Sequence, residues 1–98
     1  MNIKDTVDEI VKKAGYNYTV SDNIIVTDEE EKYRGKRVLG KLNLDSGYIY
    51  IYKNIKDRKE FMNVLMHEIA HYIVLKEFSG VRHSKKWRSI YEKLKALS

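Results

Sequence analysis

One stretch constrains this chain more than any other. From Arg58 to about Phe78, the residues Phe61, Met62, Val64, Leu65, Met66, Ile69, Ile73, Val74 and Leu75 put apolar side chains over most of the circumference of a long helix. Such a helix has no broad face to give to water, so it lies at the centre of the fold and the other elements pack around it. The chain has 98 residues, room for one core, and is expected to be a single domain spanning residues 1–98. Polar residues interrupt the stretch, and nowhere does the sequence approach the ~20 apolar residues of a membrane span.

Those interruptions are not scattered. On a helix advancing about 100° per residue, Asn63, His67 and His71 fall on one narrow stripe with Glu68 at its edge. Three fixed positions also arise by chance, but burying two imidazoles and a carboxylate with no common task is costly. His67 and His71 lie about 40° apart and one turn removed, so both rings reach one ion from the same side. Glu68 is adjacent in angle, directed past the ion, where it takes a proton from a metal-activated water. There is no cysteine, so a metal site must use histidine and carboxylate, and the cofactor expected is Zn2+. The same absence, with Asp5, Asp8 and Glu9 breaking any signal-like N-terminus, points to a cytoplasmic location.

A catalytic zinc takes three protein ligands and leaves a fourth place to water. The remaining histidine is His83, just past the Ser79-Gly80 helix stop; the rival is Glu92, on a helix returning from Ser84. A helix running to Ser79 carries the chain ~12 Å beyond His71, and four extended residues return ~13 Å, so His83 reaches the site only with little slack. Glu92 has more freedom, and spacing alone leaves the two nearly even.

The other elements are expected around this helix. Ile3, Val7, Ile10, Val11 and Ala14 predict a first helix over about residues 2 to 14, ended by Gly15. Tyr16 to Val20 and Ile24 to Thr27 read as strands joined by a turn at Ser21-Asp22-Asn23, with Asp28 to Lys36 as surface loop. Arg37 to Leu44 and Tyr48 to Lys53 flank Asp45-Ser46-Gly47 and predict a hairpin. Tyr48, Tyr50 and Tyr52 then share one half-exposed face, with Ile49 and Ile51 opposite. Trp87, Ile90, Tyr91, Leu94 and Leu97 give a last amphipathic helix. The fold class expected is α+β, a first helix and a small, mainly antiparallel sheet around the central helix and the last one.

At +5 and pI ≈ 9.3 the chain is basic, and Arg82, Lys85, Lys86, Arg88, Lys93 and Lys95 crowd its end. Nucleic acid is therefore a partner to consider, although a solvated helix face explains the same charges. Abundant Lys, Glu, Ile and Tyr without Gln is a bias of proteins from hot environments. The apolar stripe on the last helix and the short connection before it suggest a homodimer formed by exchange of that helix.

The run HEIAHYIVLKEFSGVRHSKKW, residues 67 to 87, resembles the core of SprT-like metallopeptidases, in which H-E-x-x-H is followed, after a turn, by a histidine and an aromatic four residues on. His83 and Trp87 hold those places, while Ser84 stands where a glycine is common. Size and element order are also similar to the minigluzincins, minimal zincins of thermophilic prokaryotes. The metzincin pattern is absent, since Val74 and Glu77 stand where its glycine and third histidine belong. The resemblance implies a zincin fold, Zn2+ held by His67, His71 and His83, and Glu68 as the catalytic base of peptide hydrolysis. It further implies a peptide or protein substrate lying along a strand within residues 37 to 52, and latency imposed by residues 84–98. The alternatives are a DNA-associated protease or nucleic-acid-binding protein, and a scaffold that holds zinc without turnover.

Overall fold

The computed structural model describes residues 3–28, 32–52, 57–78 and 84–98. Helix α1 (Ile3–Lys13) ends as its sequence demands. Gly15 takes φ +95°, its N–H donates to the carbonyl of Lys12, and that of Tyr16 donates to the carbonyl of Val11. This pair of bonds is a Schellman cap, which a residue with a Cβ would strain. Val7, Ile10, Val11 and Ala14 form the buried stripe.

The expected strand at Tyr16 to Val20 does not form. Its backbone is drawn towards α1 instead: Tyr16 N–H serves the helix cap, and Asp8 Oδ1 accepts from Val20 N–H at 2.8 Å and Ser21 N–H at 3.0 Å. The Ser21–Asn23 segment is a single 3-10 turn feeding strand β1 (Ile24–Thr27).

Within the predicted surface loop, β2 (Lys32–Tyr33) and β3 (Lys36–Arg37) form a two-residue hairpin turned at Arg34 (φ +53°) and Gly35 (φ +79°). The predicted strand from Arg37 to Leu44 is thereby divided, and β4 (Gly40–Leu42) pairs antiparallel with β5 (Ile49–Tyr52). Asn43 closes the connection: its carbonyl accepts from Gly47 N–H and its side-chain oxygen from the N–H groups of Asp45 and Ser46, with Gly47 at φ +76°.

The α+β class holds, but the sheet is mixed rather than mainly antiparallel. Its order is β1-β5-β4, and β1 runs parallel to β5, Ile24 opposite Ile49 and Thr27 opposite Tyr52. With no strand at residues 16–20 to pair with, β1 takes the edge of β5 that the hairpin leaves open. Ile49 and Ile51 are fully buried as expected; of the three tyrosines Tyr48 is exposed, Tyr50 half-buried and Tyr52 buried.

Helix α2 (Arg58–Phe78) spans the middle, with Asp57 Oδ1 accepting from Lys59 N–H at its start. Leu65, Met66, Ile69, Ala70, Ile73 and Val74 are fully buried between the sheet and helix α3 (Ser84–Leu97). α3 adds Ile90 and Leu94 to the same core, while Leu97 stays exposed. No described helix is long and apolar enough to cross a membrane.

Candidate metal centre

The polar stripe of α2 opens into a cleft. Val38, Leu39 and Gly40, at the entry to β4, form one wall; Asn63, Val64, His67 and Glu68 form the other, and Tyr91 reaches in from α3. Residues 37 to 52 were expected to supply a strand beside the site, and residues 38–40 do border it. Gly40 carries no obvious chemical signal, but an isolated glycine inside a strand pattern marks close backbone approach, here that of β4 to α2.

The two imidazoles converge. Nε2 of His67 and Nε2 of His71 are 3.3 Å apart, and Glu68 Oε1 is 3.7 Å from Nε2 of His67. Two Zn–N bonds of ~2.05 Å at a tetrahedral angle separate their nitrogens by about 3.3 Å. The pair therefore stands at the spacing that one zinc ion requires, and ligand atoms of His67, Glu68 and His71 all lie within 4.8 Å of one another. Two imidazole nitrogens with a carboxylate beside them suit zinc chemistry.

Burial shapes the electrostatics. Glu68 is 6% exposed, the one charged residue buried among those described, and desolvation pushes its carboxyl up to about 7. Burial also lowers both imidazoles below the usual histidine range, with His67 adding to the effect on His71. Both rings are thus neutral near pH 7, the form that binds metal.

α3 supplies an aromatic wall that spacing alone did not reveal. The Trp87 ring stacks on His71, centroids 5.1 Å apart, meets His67 edge to face at 4.7 Å, and stacks in turn on Tyr91. Trp87 Nε1–H donates to the backbone carbonyl of His67 at 3.2 Å, so one side chain braces both rings and the helix that carries them.

The two readings of the third ligand part here. Glu92 is 71% exposed and its Oε1 lies 4.0 Å from Arg88 Nε, turned to solvent and not gathered with His67 and His71. His83 and the Ser79-Gly80 stop lie outside the described residues; α2 runs on to Phe78 before them. Among nearby side chains that could donate to a developing oxyanion, Tyr91 lines the cleft, Tyr72 is buried against Tyr18 and Asn23, and Arg88 faces Glu92, while Arg82 is outside the described residues.

Comparison with curated proteins and with solved structures gives no significant match. A family model does match: that of the SprT-like family, over residues 11–98, a span that takes in β1 to β5, α2 with its H-E-x-x-H group, and α3. The chain belongs to the SprT-like family.

Proposed function

We propose that this protein is a zinc-dependent metallopeptidase in which His67, His71 and His83 hold the metal and Glu68 is the general base. The observation that carries the reading is the 3.3 Å approach of two imidazole nitrogens beside a buried carboxylate in an open cleft. Family membership supports it independently. Zinc, when bound, supplies a Lewis acid that acidifies water and polarises a carbonyl.

The protein's own groups do the rest. Glu68, whose Oε1 lies 3.7 Å from His67 Nε2, would accept a proton from the attacking water and return one to the departing amine. The walls at residues 38–40 and along α2 hold an extended peptide, and Tyr91, which lines the cleft from α3, would donate its hydroxyl to the oxygen that gains charge. His83 is preferred to Glu92 on the resemblance to SprT-like metallopeptidases, in which a histidine follows H-E-x-x-H after a turn, and the exposure of Glu92 away from the imidazole pair supports that choice.

The finer reading is a minimal zincin of the minigluzincin kind, latent as isolated. Trp87, lying across both imidazoles, supports shielding by residues 84–98. That segment also carries Ile90 and Leu94 into the core, so it shields as a packed helix.

Metal analysis and a peptidase assay test the proposal together. Wild type and Glu92→Ala should each bind one zinc, and His67→Ala, His71→Ala and His83→Ala should lose it. Glu68→Gln should keep zinc and lose hydrolysis by ~10²-fold or more, as loss of a general base does. Because the full chain is latent in this reading, wild type and Glu68→Gln are also assayed after truncation within α3; equal turnover there would leave a zinc-holding scaffold, and a zinc-free wild type would end the reading.

A further inference from the structure

The cleft beside His67 and Glu68 does not end at Asn63. A second depression of about 440 Å³ opens beyond that residue, lined by Arg58, Lys59, Met62, Asn63, Lys95 and Ser98. Asn63 borders both hollows. Lys95 Nζ, in the second, stands 5.7 Å from the ring of Tyr91, which lines the first. The two hollows adjoin at Asn63, so a peptide crossing that residue would follow one trough from His67 to the start of α2.

Their charges differ. Glu68 supplies a carboxylate to the first hollow, whereas the charged side chains among the described residues lining the second are cationic, Arg58, Lys59 and Lys95, against the single α-carboxylate that Ser98 carries in this sequence. The nearby acids are Glu60 on α2 and Asp57 just before it. Around the helix axis, Arg58, Met62, Lys59 and Asn63 span about 140°, while Glu60 lies about 60° beyond Asn63. Asp57 precedes the helix and caps it, its Oδ1 accepting from Lys59 N–H at 2.8 Å, so its charge is set against the N-terminal end of α2 and the cationic character of the hollow rests on the three side chains.

We propose that the trough selects acidic peptides, with an Asp or Glu side chain of the substrate seated between Arg58, Lys59 and Lys95. Lys59 precedes His67 by eight residues, about 12 Å along the helix, which an extended peptide covers in about four residues. The acidic side chain therefore belongs three or four residues from the bond to be cut. The position of that bond rests on the peptidase reading above; the binding preference does not.

The test uses two fluorescein-labelled decapeptides, identical except for Glu or Gln at the third and fourth residues on either side of the centre. Anisotropy titrations with the Glu68→Gln protein, metal-free and zinc-loaded, give their affinities without cleavage. The Glu peptide should bind roughly five- to tenfold more tightly at low salt, the size two or three exposed charge pairs supply. The preference should vanish in 1 M salt, where the Debye length is ~3 Å, and fall below about twofold in a combined Arg58→Gln, Lys59→Gln, Lys95→Gln variant. These three side chains are exposed, so the variant should keep its helical circular dichroism.

Equal affinities, no binding of either peptide, or tighter binding of a single-stranded oligonucleotide of equal charge would overturn the proposal, the last by making the trough a phosphate surface. The two readings fail separately. Preference for Glu in a wild type that binds no zinc removes the peptidase and leaves the acidic site; equal affinities for the two peptides in a protein that binds zinc and hydrolyses them remove the acidic site and leave the peptidase.

Discussion

A Cβ added at Gly40 would stand 2.8 Å from Val64 Cγ1 and 3.3 Å from both Glu68 Cγ and Ile51 Cδ1. None of these neighbours is a loose surface tip: Ile51 and Glu68 are buried, and Val64 is partly buried against the core. A methyl group here must push β4 off α2 at the point where strand and carboxylate form the cleft. Gly40→Ala should destabilise the fold by about 1–3 kcal/mol, the usual size of overpacking, seen as a lower urea midpoint with unchanged slope. An unchanged midpoint would mean that strand and helix are not in tight contact. A second residue-scale expectation concerns Trp87. Trp87→Phe keeps a ring against His71 but loses the donor to the His67 carbonyl, so it should cost about 1 kcal/mol beyond any loss of ring area. His67, Glu68 and His71 were legible from spacing alone, because helical periodicity converts sequence distance directly into angle. Gly40 and the Trp87 brace were not, since each acquires its role from a partner at least twenty residues away.

At the level of elements, the three helices were readable and the strands only in part, for one physical reason. Helical hydrogen bonds are local, so the periodicity that buries Val7, Val11, Ile90 and Leu94 also fixes the element. A strand needs a partner, and Tyr16 to Val20 loses the competition when Asp8 claims the N–H groups of Val20 and Ser21. That carboxylate is the joint between α1 and the turn before β1. Asp8→Ala should therefore cost about 1–2 kcal/mol, the size of a lost cap, measured by thermal or urea unfolding. α3 offers an internal control. Leu94 is 0% exposed and Leu97 41% exposed on the same helix, so Leu94→Ala should cost about 2–5 kcal/mol and Leu97→Ala less than about 0.5. Equal effects would mean α3 is docked in another rotation. The cations of α3 follow the same logic: Lys86 and Lys93 lie near one angle, Arg88 and Lys95 about 180° away. They do not form one stripe, which is why charge count alone said little about a nucleic-acid face.

At the scale of the whole molecule, the parallel pairing of β1 with β5 joins strands far apart in sequence, and no local signal announces such a contact. The candidate site shows the same division between local and distant. His67 and His71 sit on one turn of one helix, so a metal gripped by them alone adds little to global stability. A third ligand from beyond Phe78 changes this, because it ties the end of α2 to the approach of α3 and links the two helices that enclose the core. Zinc at ~100 times its Kd should then stabilise the folded state by about 2.7 kcal/mol, a rise in Tm on the order of 10 °C for a domain of this size. The shift should persist in Glu68→Gln and Glu92→Ala. It should disappear in His71→Ala, and His83→Ala should retain at most a few degrees at the same zinc concentration. If His83→Ala kept the full shift, the third ligand would have to come from somewhere other than the α2–α3 connection.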